Sequence, residues 1–144
     1  MKKITEEELE TILEQHKLWL DSNGKEGKRA DLTDMNLSYM DLSNMNLAYA
    51  NLTYANLTEA NLTDANLTNA ILTYAILTRA DLTRADLRFA NLSDANLSDA
   101  NLTDANLRWA NLNCSNLINA NLSGADLEYA KLTNTILERK NFKY

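Results

Sequence analysis

From Leu32 to Leu137 every fifth residue is leucine, 22 times without a gap, and Phe142 takes the next place. A strict period of five matches neither the 3.6 of a helix nor the 2 of a flat strand. The chain must therefore turn a corner once in every five residues. A repeat this regular decides the architecture before any other feature is weighed.

With leucine as the centre of each unit, residues 30–144 divide into 23 pentapeptides. The residue two before leucine is Ala in 17 of them; Met35, Met40, Met45, Ser115, Thr135 and Lys140 are the exceptions. The residue just before leucine is Asn or Asp, except at Ile71, Ile76, Lys131 and Ile136. Thr or Ser mostly follows, and the fifth place varies freely. Two apolar places per unit, the Ala and the Leu, imply a narrow interior holding one large and one very small side chain from each side. Asn, Asp, Ser and Thr bond neighbouring backbone groups and favour turns. A chain that turns every five residues coils into a tube whose successive coils pair by backbone hydrogen bonds.

Units such as Ala50-Asn51-Leu52-Thr53-Tyr54 and Ala95-Asn96-Leu97-Ser98-Asp99 resemble, residue for residue, those of the bacterial pentapeptide-repeat family. The resemblance implies an all-β solenoid, a right-handed quadrilateral β-helix with four pentapeptides per coil. Residues 20 apart then stack in columns, and 23 units make about six coils. At ~4.8 Å per coil the tube is roughly 27 Å long.

Residues 1–29 lack the repeat and are expected to form a capping helix and connector, giving one domain overall with the repeats of 30–144. Thr5 followed by Glu8 reads as a capping box, with Ile4 and Leu9 at the staple positions. Leu9, Ile12, Leu13, His16 and Leu20 recur at helical spacing beside Trp19, and Asn23-Gly24 supplies a stop. This apolar stripe is expected to cover the coil beginning near Ala30, whose leucines and ladder edge would otherwise be open. The run from Leu13 through His16, Trp19 and Leu20 to Gly24, Gly27 and Arg29 also resembles the lead-in of some bacterial members of the family.

No such helix is expected after the last unit. Ile136, Leu137, Phe142 and Tyr144 therefore mark a candidate dimer end. Topoisomerase-binding members of the family dimerise end to end through their C-terminal coils, so the resemblance implies a two-fold homodimer. Arg139, Lys140 and Lys143 would instead blunt the edge and leave a monomer.

The net charge is −6, of which the repeats carry −5, from 13 acidic and 8 basic residues. That disfavours direct binding of nucleic acid through its phosphates. No apolar stretch is long enough to span a membrane. Met1-Lys2-Lys3 leads into Glu6-Glu7-Glu8, not an apolar run, so no secretory signal is expected. The lone Cys114 has no disulfide partner in the chain, in keeping with a reducing cytoplasm.

A single His and a single Cys lie far apart, and no phosphate loop, zinc spacing or nucleophile elbow is present. An interior filled by leucine and alanine leaves no substrate pocket. No catalytic residue, metal ligand, cofactor or small-molecule substrate is therefore expected, and any function uses the outside.

The 20-residue stacking rule maps that outside. Tyr49, Asn69, Phe89, Trp109 and Tyr129 share a column, with Arg88 and Arg108 beside it. Aromatics with arginines are the composition of a protein interface; aromatics that stack only on each other would stabilise the tube instead. Glu59, Arg79 and Asp99 form one column of alternating sign, and Asp64, Arg84 and Asp104 the next. Ile71, Ile76, Tyr74 and Tyr54 make a small apolar patch.

The leading reading is a non-enzymatic structural or protein-interaction module acting through its outer faces. The resemblance supplies a second reading, a DNA-mimicking inhibitor or protector of a type II topoisomerase, DNA gyrase. Against it stand the arginines that break the acidic columns, the short tube and the absence of projecting loops. A carbohydrate-active β-helix enzyme is the third and weakest reading, for want of a carboxylate cleft. A consensus-designed array is disfavoured by the irregular units at Ile71, Ile76, Ser115, Lys131 and Thr135.

Overall fold

The computed structural model describes residues 1–137. A two-residue strand β1 (Lys2–Lys3) precedes helix α1 (Glu6–Asp21), and β2 (Met35–Asn36) lies in the first coil. From there the chain winds as a solenoid in which each residue before a leucine bridges in parallel to its counterpart 20 positions on, from Asp31↔Asn51 to Asn116↔Ile136.

Every backbone N–H of a regular unit has a destination. In the unit centred on Leu52, Asn51 donates to the Ala30 carbonyl of the coil below at 2.9 Å. Leu52 and Tyr54 donate to Ile71 and Thr73 of the coil above at 2.7 and 3.1 Å. Ala55 closes the corner by donating to Leu52 at 3.0 Å. The remaining donor, Thr53 N–H, goes to the side-chain oxygen of Asn51 at 3.2 Å, and the Thr53 hydroxyl joins it at 2.7 Å. Buried or half-buried donors need such partners. Asn or Asp before leucine is thus the fifth acceptor of each unit, and the same bond recurs from Thr33→Asp31 to Glu128→Asp126.

These amides also form rungs along the tube. Asn66 donates to Asn46 at 3.1 Å and Asn111 to Asn91 at 3.1 Å, each pair 20 residues apart. Ile71 and Ile76 break both patterns, leaving Thr73 and Thr78 N–H without a side-chain acceptor among the described residues. Ile71→Asn and Ile76→Asn are each expected to stabilise the protein by about 0.5–1.5 kcal/mol by restoring one bond. An upward shift of the urea midpoint with unchanged slope checks this; a downward shift would mean that isoleucine packing outweighs the bond.

The inward places are filled as the repeat demands. Every fifth residue from Leu32 to Leu117 is 0% exposed, and the alanines between them are closed off equally. Ser115 takes an alanine place without penalty because its hydroxyl donates to the Leu112 carbonyl at 2.7 Å. Thr135, one coil on, donates to the same carbonyl at 2.7 Å.

The fifth place is not free, contrary to the expectation from sequence. Its residues sit at φ between 55° and 64°, from Asp34 to Asn134, and Gly124 at 71°. A left-handed residue is what the third position of a type II turn requires. It costs about 1–2 kcal/mol for most L-residues and more for β-branched ones. No Val, Ile or Thr occupies this place in any of the 23 units, although Thr is the commonest residue one position earlier.

Helix α1 begins with the full capping box, Glu8 N–H donating to Thr5 Oγ1 at 3.1 Å and Thr5 N–H to Glu8 Oε2 at 2.8 Å. Leu9 is buried, and Ile4, Ile12 and Leu13 pack against the same apolar cluster as the leucines of the tube. The helix stops at Asp21; Asn23 and Gly24 both turn left-handed, and Gly24 N–H bonds the Trp19 carbonyl at 2.8 Å. β1 adds itself in parallel to the edge of the first coil, Lys2 opposite Met35 and Lys3 opposite Asn36.

His16, a residue of α1, is fully buried. Its Nδ1 accepts the Ala30 N–H at 3.1 Å, tying the helix to the first repeat, while Nε2 has no hydrogen-bond partner among the described residues. The ring stacks on Trp19, centroids 5.9 Å apart. Burial holds its pKa below the ordinary 6.5, opposed by the Ala48 carbonyl and assisted by the charge of Arg29. An acceptor at Nδ1 is lost when the ring protonates. The neutral ring therefore contributes its full stability above pH 6.5, and that contribution is lost as pH falls from 6.5 through the lowered folded value. The denaturation midpoint is expected to drop across this window. His16→Asn, which keeps an acceptor that does not titrate, is expected to flatten it.

Candidate functional site

The column that begins at Tyr49 divides into two parts. Tyr49 meets the edge of Trp19, centroids 6.2 Å apart at 68°, and so belongs to the contact between α1 and the tube. Beyond Asn69, Phe89, Trp109 and Tyr129 form a continuous stack. Phe89 and Trp109 lie 6.3 Å apart at 9°, Trp109 and Tyr129 4.3 Å apart at 19°. All three are about half exposed. The left-handed corner throws each side chain outward, and the coil spacing brings rings 20 residues apart into stacking range.

The ring faces are thus largely spent on each other, and the stack offers its edges to solvent as a ridge along the tube. Tyr54 and Tyr74 build a shorter version on another corner, 5.1 Å apart at 8°. The apolar neighbours Ile71 and Ile76 lie half-buried near that pair.

Both arginines beside the ridge are engaged. Arg88 grips Asp86 of its own unit, Nε to Oδ1 at 2.9 Å and Nη2 to Oδ2 at 2.6 Å. That guanidinium is the main reason the Asp86 carboxyl titrates below the usual range. Arg108 reaches up to Glu128 and to Asp126, the latter at 3.3 Å, and its guanidinium carbon lies 5.7 Å from the Tyr129 ring centroid. Such positioned guanidiniums lose little conformational freedom when a partner binds.

The columns of alternating sign form ion pairs in one direction. Arg79 bonds Glu59, with Nε at 2.9 Å, and Arg84 bonds Asp64 through both nitrogens at 2.8 and 2.5 Å. Arg84 is the largest cause of the lowered Asp64 pKa. Asp99 and Asp104, at the next coil, have no ion pair among the described residues. The acidic surface is therefore interrupted over two adjacent columns.

At the far end Ile136 is half exposed and Leu137 partly covered, while Phe142 and Tyr144 lie outside the described residues. Cys114 is an exposed thiol at a left-handed corner. Among the described residues no group of three His, Cys, Asp or Glu gathers as a metal ion would need. No helix there is long and apolar enough to cross a membrane. Sequence reasoning missed the groove that α1 leaves against the first coil, lined by Met40 and Met45. Three successive methionines in an alanine place were its signal.

Comparison with known proteins agrees with this geometry. The family model for pentapeptide repeats matches residues 28–64, 60–99 and 100–139. A pentapeptide-repeat protein from the thylakoid lumen of Arabidopsis thaliana is 35% identical, over 74% of this chain and 71% of that one, with a TM-score of 0.63. One from Nostoc PCC 7120 is 32% identical over 81% of this chain and 94% of that one, with a TM-score of 0.62. HetL, a pentapeptide-repeat protein involved in heterocyst differentiation regulation in Nostoc sp. strain PCC 7120, is 33% identical with a TM-score of 0.54. That alignment covers 76% of this chain and 58% of HetL. No curated protein sequence matches significantly. The five-residue period, the parallel rungs 20 residues apart and these likenesses together establish that the chain belongs to the pentapeptide-repeat family and folds as its right-handed quadrilateral β-helix.

Proposed function

We propose that the protein is a non-enzymatic interaction module that binds a partner protein along the ridge of Phe89, Trp109 and Tyr129. The observation that carries this reading is the ridge itself: three stacked, half-exposed aromatics flanked by guanidiniums already held in place. Interfaces concentrate their binding energy in aromatic and arginine side chains of this kind. The packed interior leaves the outer faces as the surface available for recognition.

The test separates recognition from tube stability. A Phe89→Ala, Trp109→Ala, Tyr129→Ala variant is compared with a Tyr54→Ala, Tyr74→Ala variant, which loses a stack of the same type on another corner. Immobilised proteins are exposed to cell extract at moderate salt. The reading expects a captured protein that the first variant loses and the second keeps. Equal capture by both variants, or none by the wild type, would sink it.

Gyrase mimicry is the weaker alternative. The pairs Arg79–Glu59 and Arg84–Asp64 neutralise charge where a DNA mimic would need it. A supercoiling assay with DNA gyrase, with and without a quinolone, decides it directly. We extend the proposal to a homodimer through the C-terminal coils, supported by the half-exposed Ile136. Sedimentation of wild type against Ile136→Lys tests that contact.

A further inference from the structure

Helix α1 does not cover the whole end of the tube. On one side it stands off from the first coil and leaves a groove of about 1000 Å³. Leu13 and Leu20 of the helix and Met40, Leu42 and Met45 of the coil form its apolar lining. Glu10, Glu14 and Asp21 on the helix and Asp41 on the coil form its rim, with Lys17 as the one basic lining residue. The helical face 6, 9, 10, 13, 14, 17, 20, 21 is turned to this groove as a unit.

The groove also borders an unfinished ladder. In the interior coils the residue before leucine donates its N–H to the coil below, and its carbonyl accepts a leucine N–H from there, as Asn61 does with Met40 and Leu42. Asp41 and Asn46 belong to the first coil and have no coil beneath them. Their N–H groups have no acceptor among the described residues. On the adjacent side the chain fills the same edge itself. β1 pairs in parallel with Met35–Asn36, and Lys2 N–H bonds the Asp34 carbonyl at 2.8 Å. The amino terminus adds an ion pair to Asp34 at 3.6 Å. A basic, extended dipeptide is therefore already accepted by this edge.

We propose that the groove is a docking site for an extended basic segment of a partner protein, which pairs with the Met40–Asp41 edge as β1 pairs with Met35–Asn36. Apolar side chains of the segment enter between α1 and Met40 and Met45, whose flexible thioethers adapt to varied shapes. Lysines or arginines on the alternate side meet Glu10, Glu14 and Asp41. Strand addition supplies affinity through main-chain bonds, and alternate pockets supply selectivity. This site is distinct from the aromatic ridge and does not rest on the reading given for it.

The test uses the full chain and a fluorescent peptide of about seven residues alternating lysine and leucine. Anisotropy at low salt is expected to show saturable binding, weakened about tenfold or more by Glu10→Gln with Glu14→Gln. Methylation of alternate peptide amides is expected to weaken it comparably. Met45→Lys, at a partly exposed position, is expected to abolish it. Trp109→Ala is expected to leave it unchanged. Circular dichroism establishes that each variant is folded. No binding at millimolar peptide would overturn the proposal, as would equal binding of a glutamate–leucine peptide or indifference to the Glu10 and Glu14 changes. A dimer of the protein alone that Met45→Lys dissociates would show that a second copy fills the groove, and would overturn it too.

Discussion

Leu77→Ala is expected to lower the unfolding free energy by about 3–5 kcal/mol. Leu77 is 0% exposed, and the coils above and below hold Leu57 and Leu97 at its own column. Neighbouring coils are fixed by backbone ladders on all sides, so the space left by the side chain has little freedom to collapse. The same change at Leu132, only partly buried near the end of the described chain, is expected to cost less than half as much. Equilibrium urea unfolding followed by circular dichroism compares the two. A central defect in a quasi-one-dimensional array also divides it into two shorter blocks. Broadening of the Leu77→Ala transition is therefore expected, whereas Leu132→Ala should stay sharp. Equal losses at both positions would show that the tube relaxes more readily than its ladders suggest.

Gly27→Ala is expected to cost about 2–4 kcal/mol and to loosen α1 from the tube. A Cβ at this position would lie 2.2 Å from the Gln15 carbonyl oxygen and 2.8 Å from the Trp19 nitrogen, with φ at +68°. Both obstacles are backbone, so no side-chain rotation relieves them. The segment is also held on either side: Lys28 N–H bonds the Gln15 carbonyl at 3.0 Å, and Ala30 N–H bonds His16. Gly24→Ala is the matched control. Its φ is +82°, but its nearest neighbour is an atom of the Trp19 side chain at 3.3 Å, with no backbone atom as close as the Gln15 oxygen is to Gly27. Hydrogen exchange of the Leu9–Leu20 amides measures the effect. Accelerated exchange in Gly27→Ala, with the repeat amides unchanged, is the expected pattern. Uniform acceleration would mean that cap and tube unfold as one unit.

Much of this architecture is legible in the chain because each repeat place answers to one physical demand. Leucine at a period of five needs a corner per unit; alanine two places earlier needs a neighbour that comes very close. Asn or Asp before leucine needs a nearby donor, which proved to be the N–H two residues on, as at Thr53 and Asn51. The fifth place was misread as free. Its constraint is a backbone angle, visible only as the absence of β-branched residues, and absences are harder to see than a leucine.

The candidate surface was less legible. Column assignment follows from the 20-residue coil, so Phe89, Trp109 and Tyr129 could be aligned from sequence. That Tyr49 leaves the column to meet Trp19 depends on where α1 lies. That Arg88 turns to Asp86 within its unit while Arg108 reaches the next coil depends on side-chain reach and competition, which spacing does not report.

What the sequence alone determined is the part governed by local repetition: the corner every five residues, the stacking at 20, the apolar interior and the capping box of α1. Each follows from a demand confined to one unit or one helical turn and repeated without interference. Only the tertiary structure decided how the non-repeating helix meets the tube. That contact buries His16 of α1 against the first repeat, sets Gly27 against Gln15, and leaves a groove beside Met40 and Met45. These are relations between segments with different periods, and no single period encodes the angle at which one surface settles on another.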